Sequence, residues 1–150
     1  MRVLIQEVLS ASVSIEGKPV SSIGRGELLL VGFTQGDDYA TLQKMSKKIM
    51  KARIFPDENG KTNLSLGQIN GEMLLVSQFT LYGSLKEGNR PSFVNACPSE
   101  EARSLYAQFV SLMKEEIPSL KTGVFQADMQ VSLVNDGPFT LLLDSKELFA

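Results

Sequence analysis

Asp128-Met129-Gln130-Val131-Ser132-Leu133-Val134-Asn135-Asp136-Gly137-Pro138-Phe139-Thr140 is the stretch on which the reading of this chain turns. It opens as a strand, meets an Asn-Asp-Gly-Pro turn and resumes at Phe139. Asp-Gly and Gly-Pro favour a hairpin turn, and that is the plain structural reading. A rigid Gly-Pro can also present its carbonyl oxygens as a fixed wall that rejects a ligand by shape. A second segment, Ser77-Gln78-Phe79-Thr80-Leu81, closes another apolar strand with a polar cluster.

Outward from these two segments, residues 2–16 read as strand, with room for a break near Ser10 and a turn at Glu16-Gly17-Lys18-Pro19. The run from Gly26 to Phe33 is continuously apolar after Glu27 and predicts a strand buried on both faces. Asp37-Asp38 offers an N-cap, and Leu42, Met45, Ile49 and Ala52 recur at helical spacing, which predicts a helix over about 38–52. Phe55 to Lys61 reads as a turn-rich loop, 72–81 as strand and 82–98 as an irregular loop. Ser99 is the expected cap of a second helix, with Ala102, Leu105, Tyr106, Phe109, Leu112 and Met113 on one face. Strands are expected at 123–125, 129–134 and 139–143. The predicted fold is α/β: one domain over 1–150, a mostly antiparallel sheet or flattened β-barrel covered by two helices.

Composition narrows the chemistry. The chain has 150 residues, 43% hydrophobic and 21% charged, which suits a soluble protein with a substantial core. No apolar run approaches the roughly 20 residues that span a bilayer. The first residues, Met1 to Glu7, lack the pattern of a signal peptide, and a single cysteine, Cys97, forms no internal disulfide. Both predict a cytoplasmic protein with no membrane association. The sequon at Asn63-Leu64-Ser65 is then inert.

There is no histidine. That removes Ser-His and Cys-His pairs, histidine bases and histidine-ligated metals, and one cysteine excludes a thiolate zinc site. No metal and no cofactor is expected. Catalysis is left to carboxylates, lysine, hydroxyls, backbone amides or groups on the substrate. The net charge of −2 gives no global attraction for nucleic acid, so an RNA ligand would be held locally.

Each candidate has a plain reading beside the functional one. Ser77-Gln78-Phe79-Thr80 is either a solvated strand end or an oxyanion site built from backbone N–H groups, Gln78 and hydroxyls. Thr80 as a nucleophile would need a base, and none is near it in sequence. Lys44, Lys47, Lys48 and Lys51 form one basic helix face, either merely solvated or a phosphate contact; Lys86, Arg90 and Lys121 are weaker candidates. Phe125 and Met129 are core residues or a surface on which a base stacks. Gly24-Arg25-Gly26 lacks the third glycine and following helix of a nucleotide fingerprint.

The chain resembles the D-aminoacyl-tRNA deacylase family over nearly its whole length. The stretches that carry the resemblance are Ala11-Ser12-Val13, Arg53-Ile54-Phe55, Gly60 with Asn63-Leu64, Val76 through Leu81, Arg90-Pro91-Ser92-Phe93, Thr122-Gly123 and Asp128 through Thr140. The resemblance implies hydrolysis of the ester joining a D-amino acid, or glycine mischarged on tRNA-Ala, to the 3′ adenosine of tRNA. It implies no cofactor, and a homodimer with active sites at the interface. It assigns Ser77, Gln78, Phe79 and Thr80 to the wall around the scissile ester. It assigns Gly137 and Pro138, with Asn135 beside them, to a cis Gly-Pro element that enters the partner's site and excludes an L side chain. Phe125 and Met129 would lie near the terminal adenosine. One departure stands out: the family usually has an arginine at the position of Glu7, where it helps fix the Gly-Pro loop. That keeps open an alternative, an editing relative of relaxed chirality that removes L-alanine from mischarged tRNA.

Overall fold

The computed structural model describes residues 1–150. The elements are β1 (Arg2–Ile15), β2 (Lys18–Ile23), β3 (Gly26–Gly32), α1 (Tyr39–Lys51), β4 (Phe55–Pro56), β5 (Thr62–Leu64), β6 (Glu72–Ser77), α2 (Ser99–Glu116), β7 (Lys121–Thr122), β8 (Gln130–Asp144) and α3 (Ser145–Leu148), with a 3-10 turn at Phe79–Tyr82. Six strands form one sheet in the order β2-β1-β3-β6-β7, with β8 also paired to β1. The ladders of β1 with β2, β3 and β8 are antiparallel. Those of β3 with β6 and β6 with β7 are parallel, since α1 lies in the crossover from β3 to β6 and α2 in that from β6 to β7. Ser21 Oγ donates to the Thr122 carbonyl at 2.9 Å, tying β2 to β7 and curling the sheet toward a barrel. No helix is long and apolar enough to cross a membrane.

The core has two parts, one on each face of β3. Leu29 and Val31 join Val3, Ile5, Met73 and Leu75 beneath Leu42, Met45 and Ile49 of α1 and Phe109 and Met113 of α2. Leu28 joins Val8, Ala11, Val13, Ile23, Leu74 and Val76 inside the curl. Each large apolar side chain so buried contributes about 1.5–3 kcal/mol before chain entropy is subtracted. The apolar run of β3 is therefore a central strand, as its composition predicts. In α1, Asp38 caps the helix by accepting from Thr41 N at 2.8 Å, and the four lysines stay exposed opposite the buried face.

Several local expectations are corrected. β1 is unbroken through Ser10, because β8 pairs with it on both sides of that residue. Ser99 does not cap α2: Pro98 holds the cap position, its carbonyl accepting from Ala102 N at 2.9 Å, and Ser99 Oγ accepts instead from Gln126. The expected loop after Phe55 contains the β4–β5 hairpin, organised by Asp57, whose Oδ1 accepts from Asn59 N and Lys61 N at 2.9 and 3.0 Å. β6 ends at Ser77 rather than 81. Gln78 N donates to the Val31 carbonyl at 2.7 Å, and the chain then winds into the 3-10 turn through Leu81 N to Gln78 O and Gly83 N to Thr80 O. β7 is limited to Lys121–Thr122, so 123–125 is loop.

Asn135-Asp136-Gly137-Pro138 does not reverse the chain. Both halves belong to one strand, β8, and both pair antiparallel with β1: Gln6 with Thr140 and Val8 with Asn135. β1 advances two residues while β8 advances five, so Asp136–Phe139 is extruded as a wide bulge. The Asn135 side chain closes its neck. Phe139 N donates to Asn135 Oδ1 at 2.7 Å, and Asn135 Nδ2 donates to the Phe139 carbonyl at 3.1 Å and to Thr140 Oγ1 at 3.2 Å. The Gly137–Pro138 peptide is cis. Gly137 has φ +127°, and an added Cβ would meet Phe139 N at 2.9 Å, so only glycine fits there.

Glu27 interrupts the apolar pattern of β3, yet it is fully buried with both carboxylate oxygens unpartnered. Burial, reinforced by the negative charge of Glu7, pushes its carboxyl up to about 8 from an ordinary 4.5. Between those values the folded chain holds a proton that the unfolded chain has released, so stability falls as pH rises through that window and levels off above about 8. Chemical denaturation across pH will show this decline in the wild type, and Glu27→Gln will flatten it.

Candidate functional site

The parallel ladder of β3 and β6 ends in a cleft of about 660 Å3. Its floor is Val31, Gly32 and Phe33 from β3 and its extension, with Val76, Ser77, Gln78 and Phe79 beside them. Phe93, Ala96, Cys97, Pro98, Ser99 and Ala102 form one wall, and Phe125, Gln126, Ala127, Asp128, Met129 and Val131 the other. Gly32 allows the approach, since a Cβ there would lie 2.8 Å from the Gln78 carbonyl oxygen. Both large walls are aromatic. Phe79 and Phe93 meet edge to face with centroids 5.0 Å apart. Phe125 lies 5.4 Å from Tyr106 and carries the Arg103 guanidinium 4.9 Å from its centroid. Arg103 also donates to Gln126 Oε1, which stiffens the second wall from behind. Met129 Sδ accepts from Val124 N at 3.4 Å and fills the space a Cβ on Gly123 would need.

The polar groups are few. Ser77 and Gln78 are half-buried, Phe79 and Thr80 exposed. Gln78 Nε2 donates to Thr80 Oγ1, so the amide is spent on that hydroxyl and does not cap the 3-10 turn. No side chain caps the first turn, and of its four residues Phe79 alone lines the cleft. Asp128 is the one carboxylate in the lining. The Cys97 thiol is pushed up to about 11, by burial first and then by Glu101, and so is no thiolate nucleophile near neutrality.

Ser77, Gln78, Phe79, Phe125 and Met129, expected together, are together. Thr80 touches the cleft only through Gln78. Gly137 and Pro138 lie on the bulge of β8 and Asn135 at its neck, all outside the lining of their own chain's cleft. Cys97, Phe93 and Asp128 were not singled out from sequence as lining residues. Phe93 and Asp128 lie within the matching stretches, but Cys97 carries no local signal and reaches the cleft only because Cys97 N donates to the Phe33 carbonyl at 2.9 Å.

An α/β sheet with an aromatic cleft at the end of a parallel ladder and a bulged cis Gly-Pro strand defines the class. The family profile described as D-Tyr-tRNA(Tyr) deacylase matches residues 4–144. The D-aminoacyl-tRNA deacylase of Clostridium novyi is 48% identical over 149 residues, covering 99% of this chain and all of that protein. The D-aminoacyl-tRNA deacylase of Lactobacillus acidophilus is 54% identical, covering 96% and 99% of the two chains. Among solved structures, the c-Myc DNA unwinding element binding protein superposes with a TM-score of 0.91 at 39% identity, over 96% of this chain and 98% of that one. A probable eukaryotic D-amino acid tRNA deacylase, 17% identical over 95% and 97% of the two chains, shares the fold with a TM-score of 0.84. This chain belongs to the D-aminoacyl-tRNA deacylase family.

Alkylation of Cys97 will be slow at neutral pH and will accelerate as the pH approaches about 11. Mass spectrometry of iodoacetamide-treated protein over a pH series measures it.

Proposed function

We propose that this chain hydrolyses the ester between a D-amino acid and the 3′-terminal adenosine of tRNA, and takes glycyl-tRNA as a second substrate. The observation that carries the reading is the cleft itself: Ser77, Gln78 and Phe79 beside the uncapped 3-10 turn, facing Phe125 and Met129. The adenine ring stacks on the Phe125–Met129 wall. The ester carbonyl lies against the first-turn amides, which stabilise the oxyanion of the tetrahedral intermediate.

The aminoacyl ester is already activated, so little protein chemistry is required. Water attacks the carbonyl carbon, the C–O bond to the ribose breaks, and the products are the free D-amino acid and tRNA. The vicinal 2′-hydroxyl assists the water. Thr80, fixed by Gln78 and set back from the cleft, positions rather than attacks. Asp128 is the one protein carboxylate in the lining.

Chirality is read across a homodimer. The Gly137–Pro138 bulge stands away from its own cleft, and β8 leaves one edge unpaired with Leu133, Val134, Leu141 and Leu142 exposed. Unpaired edges and apolar patches of this kind are covered in assemblies. The bulge of each protomer enters the other's cleft, where its backbone carbonyls exclude an L side chain. Glycine has no side chain to exclude. The buried Glu7 near the bulge favours a second reading, a filter loose enough to admit L-alanyl-tRNA.

Purified protein will deacylate D-tyrosyl- and glycyl-tRNA rapidly and spare L-tyrosyl-tRNA. Hydrolysis of D- and L-alanyl esters alike supports the looser filter, and no turnover of any ester overturns both readings. Thr80→Ala will retain activity within about tenfold, as suits a positioning group, whereas a nucleophile's loss costs on the order of 10^4 or more. A 2′-deoxy terminal adenosine will abolish turnover. If the α1 lysines contact phosphate, reversing Lys47 and Lys48 to glutamate will raise KM and lower its salt dependence; unchanged values exclude that contact.

A further inference from the structure

Glu7 and Glu27 face each other directly across β1 and β3. Like charges opposite one another destabilise even an exposed sheet. Here the cost is greater, because Glu27 is fully buried and Glu7 is only 6% exposed. Three of the four carboxylate oxygens, both of Glu27 and Oε1 of Glu7, have no hydrogen-bond partner. No arginine or lysine forms an ion pair with either residue.

The charged groups around the pair do not relieve it. Arg25, in the turn before β3, is exposed and only partly offsets the charge on Glu7. Asp136, in the bulge of β8, adds negative charge and raises the Glu7 carboxyl further, on top of the larger effect of burial. On β6, Glu72 is engaged with Gly24 N at 3.0 Å, and Met73, the residue paired with Glu27, is apolar. A proton held between the two carboxyls is what remains. A protonated Glu27 would donate its O–H to the Glu7 carboxylate, which would remove one charge and satisfy two oxygens.

The location gives this pair a consequence. On β1, Glu7 lies between Gln6, paired with Thr140, and Val8, paired with Asn135. It is therefore the β1 residue opposite which β8 extrudes the Asp136–Phe139 bulge. We propose that Glu7 and Glu27 share one proton and together position the Gly137–Pro138 bulge, so that loss of the proton loosens the element that discriminates D from L esters. With the proton bound, β1 and β3 are clamped beneath the bulge. Without it, Glu7, Glu27 and Asp136 repel one another, and the neck that Asn135 closes gives way. Both glutamates are positioning residues that never meet the substrate. The proposal rests on the reading of the bulge as the chiral filter.

The test is the ratio of D-tyrosyl to L-tyrosyl ester hydrolysis, corrected for uncatalysed hydrolysis, as pH rises from neutrality past the value of about 8 to which burial pushes Glu27. Wild-type selectivity will fall on the order of tenfold through that midpoint. Glu27→Gln, neutral at every pH, will hold a constant ratio. Glu7→Gln, which removes the opposing charge, will shift the midpoint downward and serves as the second variant if Glu27→Gln does not fold. A flat wild-type ratio, or the same break in both variants, overturns the proposal. The amide NMR signals of Gly137 and Phe139 are followed over the same series. If they titrate in the wild type and not in Glu27→Gln while no ester is turned over, the positioning pair stands and the proposed activity fails. If turnover is D-specific and the signals do not titrate, the pair has no such role.

Discussion

The pairing of β1 with β8 governs this structure. β1 is bonded along one edge to β8 from Arg2 to Ser14, and along the other to β3 and then β2. A strand committed on both edges cannot absorb a mismatch by shifting. The two registers on either side of Glu7 are set independently by the inward-facing Val3 and Ile5 and by Val8, Ala11 and Val13, which lie in different parts of the core. The extra residues of β8 are forced outward between them. The bulge stands where it does because of this conflict of registers, and Asn135 closes it where the ladder hydrogen bonds are missing.

The cleft depends on the same sheet at its other end. β3 and β6 run parallel until Gln78 N takes the Val31 carbonyl, after which the chain must leave the ladder. It leaves as a 3-10 turn beside an aromatic wall, and in the proposed reading the first amides of that turn face this largely apolar space. Such amides are fixed dipoles in a medium of low dielectric, where they act more strongly than in water. In the proposed mechanism a chain without histidine hydrolyses the ester on that basis, with the substrate supplying its own activation.

Much of this was legible from local sequence. The spacing of Leu42, Met45 and Ile49, with Asp38 before them, places α1 to within a residue at each end. The apolar run after Gly26 marks the central strand. Ser77, Gln78, Phe79, Phe125 and Met129 line one cleft, as the family resemblance implied. What was not legible involves partners distant in sequence. Ser99 looks like a cap, but Gln126 takes its hydroxyl. Glu27 stands at the start of its strand, but the register places it opposite Glu7 and the fold buries it completely.

The sequence by itself determined which segments would be buried and how each would present its faces, because side-chain periodicity is a property of the local backbone. It also carried the family's motifs in order. Only the tertiary structure decided that Asn135–Pro138 is a bulge and not a reversal, that Thr80 stands back from the cleft, and that two glutamates share one buried space. Each of these depends on which strand lies alongside, and strand pairing is settled by the packing of the whole sheet rather than by any stretch within it.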